Sequence, residues 1–574
     1  MAPFDELVQE FLEATWRNDP VEATRSGIHR YDHLLPDRSA EAMDGWGQTL
    51  AGLERRFEQM DPARLSRGQE LDRQWALSVL DYALVNHELE LWRRMPQELV
   101  DDLGSGLHSL LISEFVPLQE RFESLLARLK AIPAYLHTAR DTLLPESIPP
   151  VWLEQSLLNA QSTKRFIAAD VPKAVAMAAT AEAACPPQKR YSAVRRHRVL
   201  RRVLRKDSSG ALRDSVTKAC LEAAQALDDF EAFLRSQGAG RAQGEYAIGR
   251  ERFDRILKRF HMLDMDSQDL YEFGREWIDR YEKQMVDVAR QIDPDRPWIE
   301  LLETIKDDHP TPEKLRDAYE EETLLARRHC LEHDLITFPE GESCVLEWTP
   351  VFMRARTPIA QPWVSPPFEQ GLASKWYITP IDAEAPLERQ RQHIRDNSWP
   401  WIRGIAMHEI YPGHHLQLVI AKQVATPLRK QFWSPVFGEG WGLYTEELFY
   451  ETGLLAEPRL RLMQLRNALW RAVRIVVDTG LHTRGMSLGE SARWLSERAR
   501  LEPRWAESET RYYTTRPTYP SSYQVGFARL LELRERYKAK KGSDYRLKSF
   551  HDELMSYSSL PLKLVEGEML GENG

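Results

Sequence analysis

Three histidines and a glutamate crowd into one short segment, Met407 to Gln417 (MHEIYPGHHLQ), and their types suit metal chemistry. In the common zinc pattern HExxH, two histidines four apart share a helix face and bind the ion through imidazole nitrogen. The intervening glutamate then lies beside the metal-bound water as general base. Here the fourth position after His408 is Pro412, and the next histidines are His414 and His415. A straight helix would turn His414 about 240° away from His408 and raise His415 about 10.5 Å above it. Pro412 removes a helical hydrogen bond and clashes with the preceding turn, while Gly413 relaxes the backbone. The segment therefore predicts a kinked helix in which His408 and a second histidine share a metal, with Glu409 as general base. His414 is the preferred partner; His415 stays open, as a ligand or as a substrate contact.

A zinc site of this kind needs a third protein ligand and an open fourth position. Glu439, within VFGEGWGLYTEE (Val436 to Glu447), is the candidate, because Gly438 and Gly440 beside it allow close backbone approach to the histidine helix. Glu446 and Glu447, two helical turns on, are expected to reach solvent or to support a ligand. Asp478 and His482 are four apart, hence on one helix face, where they could orient substrate or hold a ligand. The segment from Arg511 to Tyr523 (RYYTTRPTYPSSY) gathers phenols and guanidinium groups in an expected loop before a helix from Gln524 to Lys538. Arg511 there suits a substrate carboxylate, and tyrosines such as Tyr519 suit substrate contact or an oxyanion. Imidazole and carboxylate favour zinc, one ion per chain, with manganese or iron as alternatives.

The elements that must position these residues read as helices. The chain has 574 residues, of which 42% are hydrophobic and 29% charged, with a net charge of −10, a globular composition that excludes collagen-like and low-complexity classes. Apolar residues recur at three- and four-residue intervals (Leu7, Phe11, Leu12, Trp16; Leu80, Leu84, Leu91), and long amphipathic helices are expected from Arg252 to Gln291 and from Pro312 to His333. Short β-prone segments at Cys344–Trp348, Val351–Met353 and Lys375–Thr379 predict a small sheet. The Gly-rich stretch from Ser236 to Gly244 is the best linker signal, dividing an N-terminal helical half (1–240) from a C-terminal half (241–574) that carries the sheet and metal site.

No apolar run is long enough for a membrane span, and the N-terminal MAPFDELVQEFLEATWRNDP lacks the basic and apolar regions of a secretory signal. Four scattered cysteines (Cys185, Cys220, Cys330, Cys344) form no CxxC pair. A cytoplasmic setting with no membrane partner is expected. Lys189 to Lys206 carries nine basic residues in eighteen. It reads as a solvated helix face, since the chain is acidic overall and no nucleic-acid motif accompanies it.

These motifs resemble the family known as domain of unknown function 885. Its members carry His-Glu-x-x-Pro-Gly-His-His-x-Gln, matched from His408 to Gln417. The likeness continues at Pro20 to Gly27, at Glu439-Gly-Trp with Tyr444, at Asp478-x-Gly-x-His482, and at Tyr523-x-x-Gly526 before Leu533 and Arg534. The family is in turn similar to helical gluzincin peptidases, such as carboxypeptidase Taq and relatives of angiotensin-converting enzyme. The resemblance implies a mainly α, gluzincin-like fold with a small sheet near a deep cleft. It also implies zinc ligands His408, His414 and Glu439, Glu409 as general base and Tyr523 as oxyanion donor. One departure stands out: where the family has Pro-Gly-Gln this chain reads Pro517-Thr-Tyr519. The expected activity is zinc-dependent hydrolysis of an amide or peptide bond. The alternatives are non-proteolytic chemistry on a peptide-like small molecule in specialised metabolism and a non-catalytic metal-stabilised scaffold.

Overall fold

The computed structural model describes residues 3–112, 116–184, 208–238, 240–350, 353–354, 357, 359–557 and 559–571. The basic stretch Lys189 to Lys206 and Cys185 lie outside the described residues. The chain divides into two compact units, Met1–Leu53 with Asn86–Glu245, and Glu54–Val85 with Tyr246–Gly574. The segment Glu54–Val85 thus belongs with the C-terminal part of the chain.

The first unit is helical. Its opening helix, Pro3–Asn18, buries the stripe Phe4, Leu7, Val8, Phe11, Leu12 and Trp16, the helical period seen in the sequence. Asp19 caps the following helix by accepting from the Glu22 N–H, and Gly27, at φ 90°, closes it. Arg128 is fully buried and donates to the carbonyls of Pro20, Leu34 and Gly106 and to the Thr24 hydroxyl, which satisfies a guanidinium that burial would otherwise penalise.

In the second unit the elements that concern the site are helices α1 (Ser267–Ile292), α2 (Leu315–Glu332), α3 (Trp399–Glu409), α4 (His414–Val424), α5 (Pro435–Glu451), α6 (Pro458–Thr483), α7 (Pro503–Tyr513), α8 (Tyr519–Lys541) and α9 (Leu547–Ser556). α6 is buried on every side from Arg461 to His482, the behaviour of a core helix, and packs against α1 and α8. α5 lies along α8, and the crossing is made at two glycines: a Cβ on Gly440 would fall 2.5 Å from the Gly526 carbonyl carbon.

Three strands, β1 (Ser343–Trp348), β2 (Ala360–Trp363) and β3 (Ala373–Ile378), form one sheet in the order β1-β3-β2. β1 runs parallel to β3 and β2 antiparallel to it. The sheet agrees with the β-prone segments at 344–348 and 375–379. Of the third, Val351 and Phe352 lie outside the described residues and Met353 sits in a turn. β2 carried no clear signal because Pro362 lies inside it, a residue that a strand tolerates at a sheet edge, where β2 is. The expected helix from Arg252 to Gln291 is broken: a helix at Arg250–Arg255 passes into a π-turn at Ile256–Phe260, and α1 restarts behind an Asp266 capping box. Among the described residues no helix is long and apolar enough to cross a membrane.

Candidate metal centre

The expected kink at Pro412 is a full break. α3 ends at Glu409, the Tyr411–Pro412 peptide is cis, and a new helix starts at His414. Gly413 is required here, because a Cβ at that position would lie 1.8 Å from the His408 carbonyl oxygen. Trp441 of α5 fastens the crossing by donating from Nε1 to the Pro412 carbonyl at 2.8 Å. The break carries His414 back to His408: their rings stand 4.9 Å apart between centroids and nearly perpendicular, at 88°.

Glu439, in the second turn of α5, completes a triad. One ligand atom from each of His408, His414 and Glu439 lies within 4.8 Å of the others. Glu439 Oε2 is 3.3 Å from His414 Nε2 and 4.0 Å from His408 Nε2. That oxygen is buried and makes no hydrogen bond, whereas Oε1 accepts the Tyr519 hydroxyl. Two imidazole nitrogens and one carboxylate oxygen converging on one point, with an orphaned buried acceptor among them, fit a zinc ion. Burial opposes the charge on Glu439, but the His414 imidazole beside it prevails and holds the carboxyl down at about 2. Burial likewise disfavours charged His414, and Glu439 outweighs it, lifting the imidazole to about 9. The two shifts describe one buried His414–Glu439 ion pair, in which a cation bound between them would take the place of the Nε2 proton.

Supporting contacts surround the triad. Glu446, two turns along α5 and buried, accepts from His408 Nδ1 at 3.0 Å, which turns Nε2 towards Glu439. Arg471 of α6, also buried, lies 3.8 Å from Glu446 Oε1. Gly442 makes room for the His408 ring, since a Cβ there would come within 2.6 Å of it. The glycines beside Glu439 serve other contacts than the expected one: Gly438 faces Trp433 and Gly440 faces α8.

Glu409 closes α3 half-buried, and its charge adds to the field that favours protonated His414. Arg511 to Tyr523 is not a loop: Arg511 to Tyr513 end α7, and Tyr519 and Tyr523 occupy the first turns of α8. Tyr523 stacks on His408 with 6.4 Å between centroids and 17° between planes, and Arg474 lies over its other surroundings at 4.4 Å from the ring centroid. Among the described residues its hydroxyl has no hydrogen-bond partner, and burial raises the phenol well above its ordinary range, so it stays a donor.

Other expected contacts are not assembled. His415 is fully buried, with Nδ1 2.9 Å from the Ser374 hydroxyl and Nε2 3.2 Å from Glu342, so neither nitrogen is left for a metal or a substrate. His482 is buried with Nε2 3.0 Å from the Tyr513 carbonyl, and burial lowers it to about 4. Arg511, near the end of α7, lies 4.0 Å from Glu507. Tyr519 contacts Glu439 instead of standing free for substrate. Asp478 accepts from the Thr518 N–H at 3.1 Å and the Ser521 hydroxyl at 2.6 Å, anchoring the start of α8. Of the two outcomes expected for Glu446 and Glu447, Glu446 supports the candidate ligand His408, whereas Glu447 pairs with Arg461 at 2.6 Å; Arg471 carried no expectation from the sequence.

The fold recurs in two solved structures. One is a candidate lipoprotein of unknown function from Shewanella oneidensis, with 21% sequence identity, a TM-score of 0.78 and coverage of 99% of this chain and 100% of that one. The other is a candidate lipoprotein from Colwellia psychrerythraea, with 16% identity, a TM-score of 0.83 and coverage of 100% and 99%. At these identities the likeness is one of fold. No curated protein matches the sequence. The model of a bacterial protein family of unknown function, DUF885, matches residues 20–569, nearly the whole chain with every site residue described above, and this chain belongs to that family.

Proposed function

We propose that this chain is a zinc-dependent hydrolase of peptidase type, cleaving an amide or peptide bond at the centre formed by His408, His414 and Glu439. The observation that carries the reading is the convergence of the three ligand atoms, one of them a buried carboxylate oxygen with no hydrogen bond. Zinc bound by these residues would supply a Lewis acid that polarises a carbonyl and makes water acidic enough to react near neutral pH. The chain's own groups do the rest. Glu409 takes the proton of the attacking water and returns it to the leaving amine. Tyr523, protonated and unpartnered, donates to the oxyanion that develops on the carbonyl. Glu446 keeps His408 in the tautomer that presents Nε2. On this reading, breaking and restarting the helix between the histidines does what the uninterrupted HExxH helix does, bringing two imidazoles to one ion.

The unpaired cysteines Cys220, Cys330 and Cys344 favour a cytoplasmic setting, while the two solved relatives are described as candidate lipoproteins. Cell fractionation decides between them. The activity is tested with Glu409→Gln against a defined peptide library read by mass spectrometry. The variant is expected to bind zinc as the wild type does and to lose cleavage; equal cleavage by both proteins overturns the mechanism.

A further inference from the structure

We infer that Tyr519 is a positioning residue that holds Glu439 to a single metal-facing oxygen and thereby biases the centre towards zinc over manganese. The inference rests on the metal reading proposed above. Its basis is the unequal treatment of the two carboxylate oxygens. Oε1 is committed to the Tyr519 hydroxyl, whereas Oε2 is buried, without a hydrogen bond, and turned to both histidines. A carboxylate with both oxygens free can grip an ion with two donors; one whose far oxygen is engaged offers one. Two imidazoles and one oxygen make the three-donor set that catalytic zinc takes with an open fourth position. Manganese prefers a larger, oxygen-rich octahedral set, which a second Glu439 oxygen would help supply.

The backbone under Tyr519 is built to aim it. Thr518, the residue before it, adopts φ 70°, a left-handed conformation that is costly for a β-branched side chain. Two ties hold it there, its N–H donating to Asp478 at 3.1 Å and its hydroxyl 2.9 Å from His261 Nε2, and Ser521 fixes Asp478 in turn by donating to its other oxygen at 2.6 Å. Tyr519 therefore enters α8 at a fixed angle over Glu439. Tyr523, one turn on, keeps its hydroxyl unpartnered and stacks on His408. The two phenols thus have separate tasks, one on a ligand and one for the substrate.

The test compares Tyr519→Phe with Tyr523→Phe in the full chain, measuring zinc and manganese affinities by chelator competition. Tyr519→Phe is expected to weaken zinc by about 10-fold or more and manganese by clearly less, narrowing their ratio, while Tyr523→Phe leaves both within about twofold. Equal weakening for both metals, as general loosening would give, overturns the inference, and so does an unchanged ratio. Should Tyr519→Phe fail to fold, Thr518→Gly replaces it. That variant relieves the left-handed strain but drops the tie to His261, and it is expected to shift the ratio in the same direction by a smaller factor; an unchanged ratio there counts against the inference. A wild type that takes up neither metal defeats the metal reading itself, a result distinct from the loss of selectivity alone.

Discussion

Glu446 governs which nitrogen of His408 faces the centre, because its carboxylate accepts the Nδ1 proton at 3.0 Å. Replacing it with alanine frees that tautomer and leaves Arg471 buried without its nearest carboxylate. Glu446→Ala is expected to weaken zinc binding by about 10- to 100-fold, read by chelator competition; unchanged affinity contradicts the role. Tyr523→Phe is expected to lower kcat by about 10²- to 10³-fold with KM little moved, as for loss of an oxyanion donor. A change confined to KM would assign Tyr523 to substrate binding instead. The meeting of His408, His414 and Glu439 was legible from residue type and spacing. His414 was preferred over His415 because Pro412 and Gly413 predicted a kink; what spacing could not show was the place of His415, which lies in the core beside Glu342.

At the scale of elements, the centre depends on how closely α5 packs against its neighbours. Gly442→Ala would place a methyl carbon 2.6 Å from the His408 ring, so it is expected to cost metal affinity more than stability, checked by measuring both on one preparation. Gly526→Ala meets backbone, 1.9 Å from the Val436 carbonyl oxygen, and neither helix can yield locally. That variant is expected to lose about 1–3 kcal/mol of stability, measured as a lowered urea midpoint. A midpoint equal to that of the wild type would mean that the two helices do not need their contact. The glycines around Glu439 signalled close approach in the sequence, but not to which partner, since the partner Gly526 lies 86 residues away from Gly440. The expected helix from Gln524 to Lys538 is the body of α8, and the i, i+4 pair Asp478 and His482 lies on α6. That expectation missed the start of α8, where Pro517 and Pro520 gave the first turn the look of a loop, although proline is well accommodated at the beginning of a helix.

For the whole molecule, buried neutral histidines set the response to acid. Burial lowers His551 from 6.5 to about 4, and it lowers His261 to about 3 and His482 to about 4. Between those values and pH 6.5 these three side chains bind protons in the unfolded chain that they refuse in the folded one, so the stability they contribute is full above about pH 6.5 and is lost as pH falls towards 4. His551→Gln is expected to flatten this slope by about one proton, read from urea midpoints across that range; an unchanged slope contradicts a neutral buried His551. The mainly α class with a small sheet was legible from composition and period. The assignment of Glu54–Val85 to the second unit was not, because contacts between distant segments leave no local pattern. The central claim is the metal centre itself. Its most direct test is elemental analysis of protein purified without added metal, with His408→Ala and Glu439→Ala alongside. The account predicts about one zinc per chain, as three protein ligands and one open position require, lost in both variants. Undiminished zinc in the variants, or no uptake by the wild type after zinc is supplied, would contradict it.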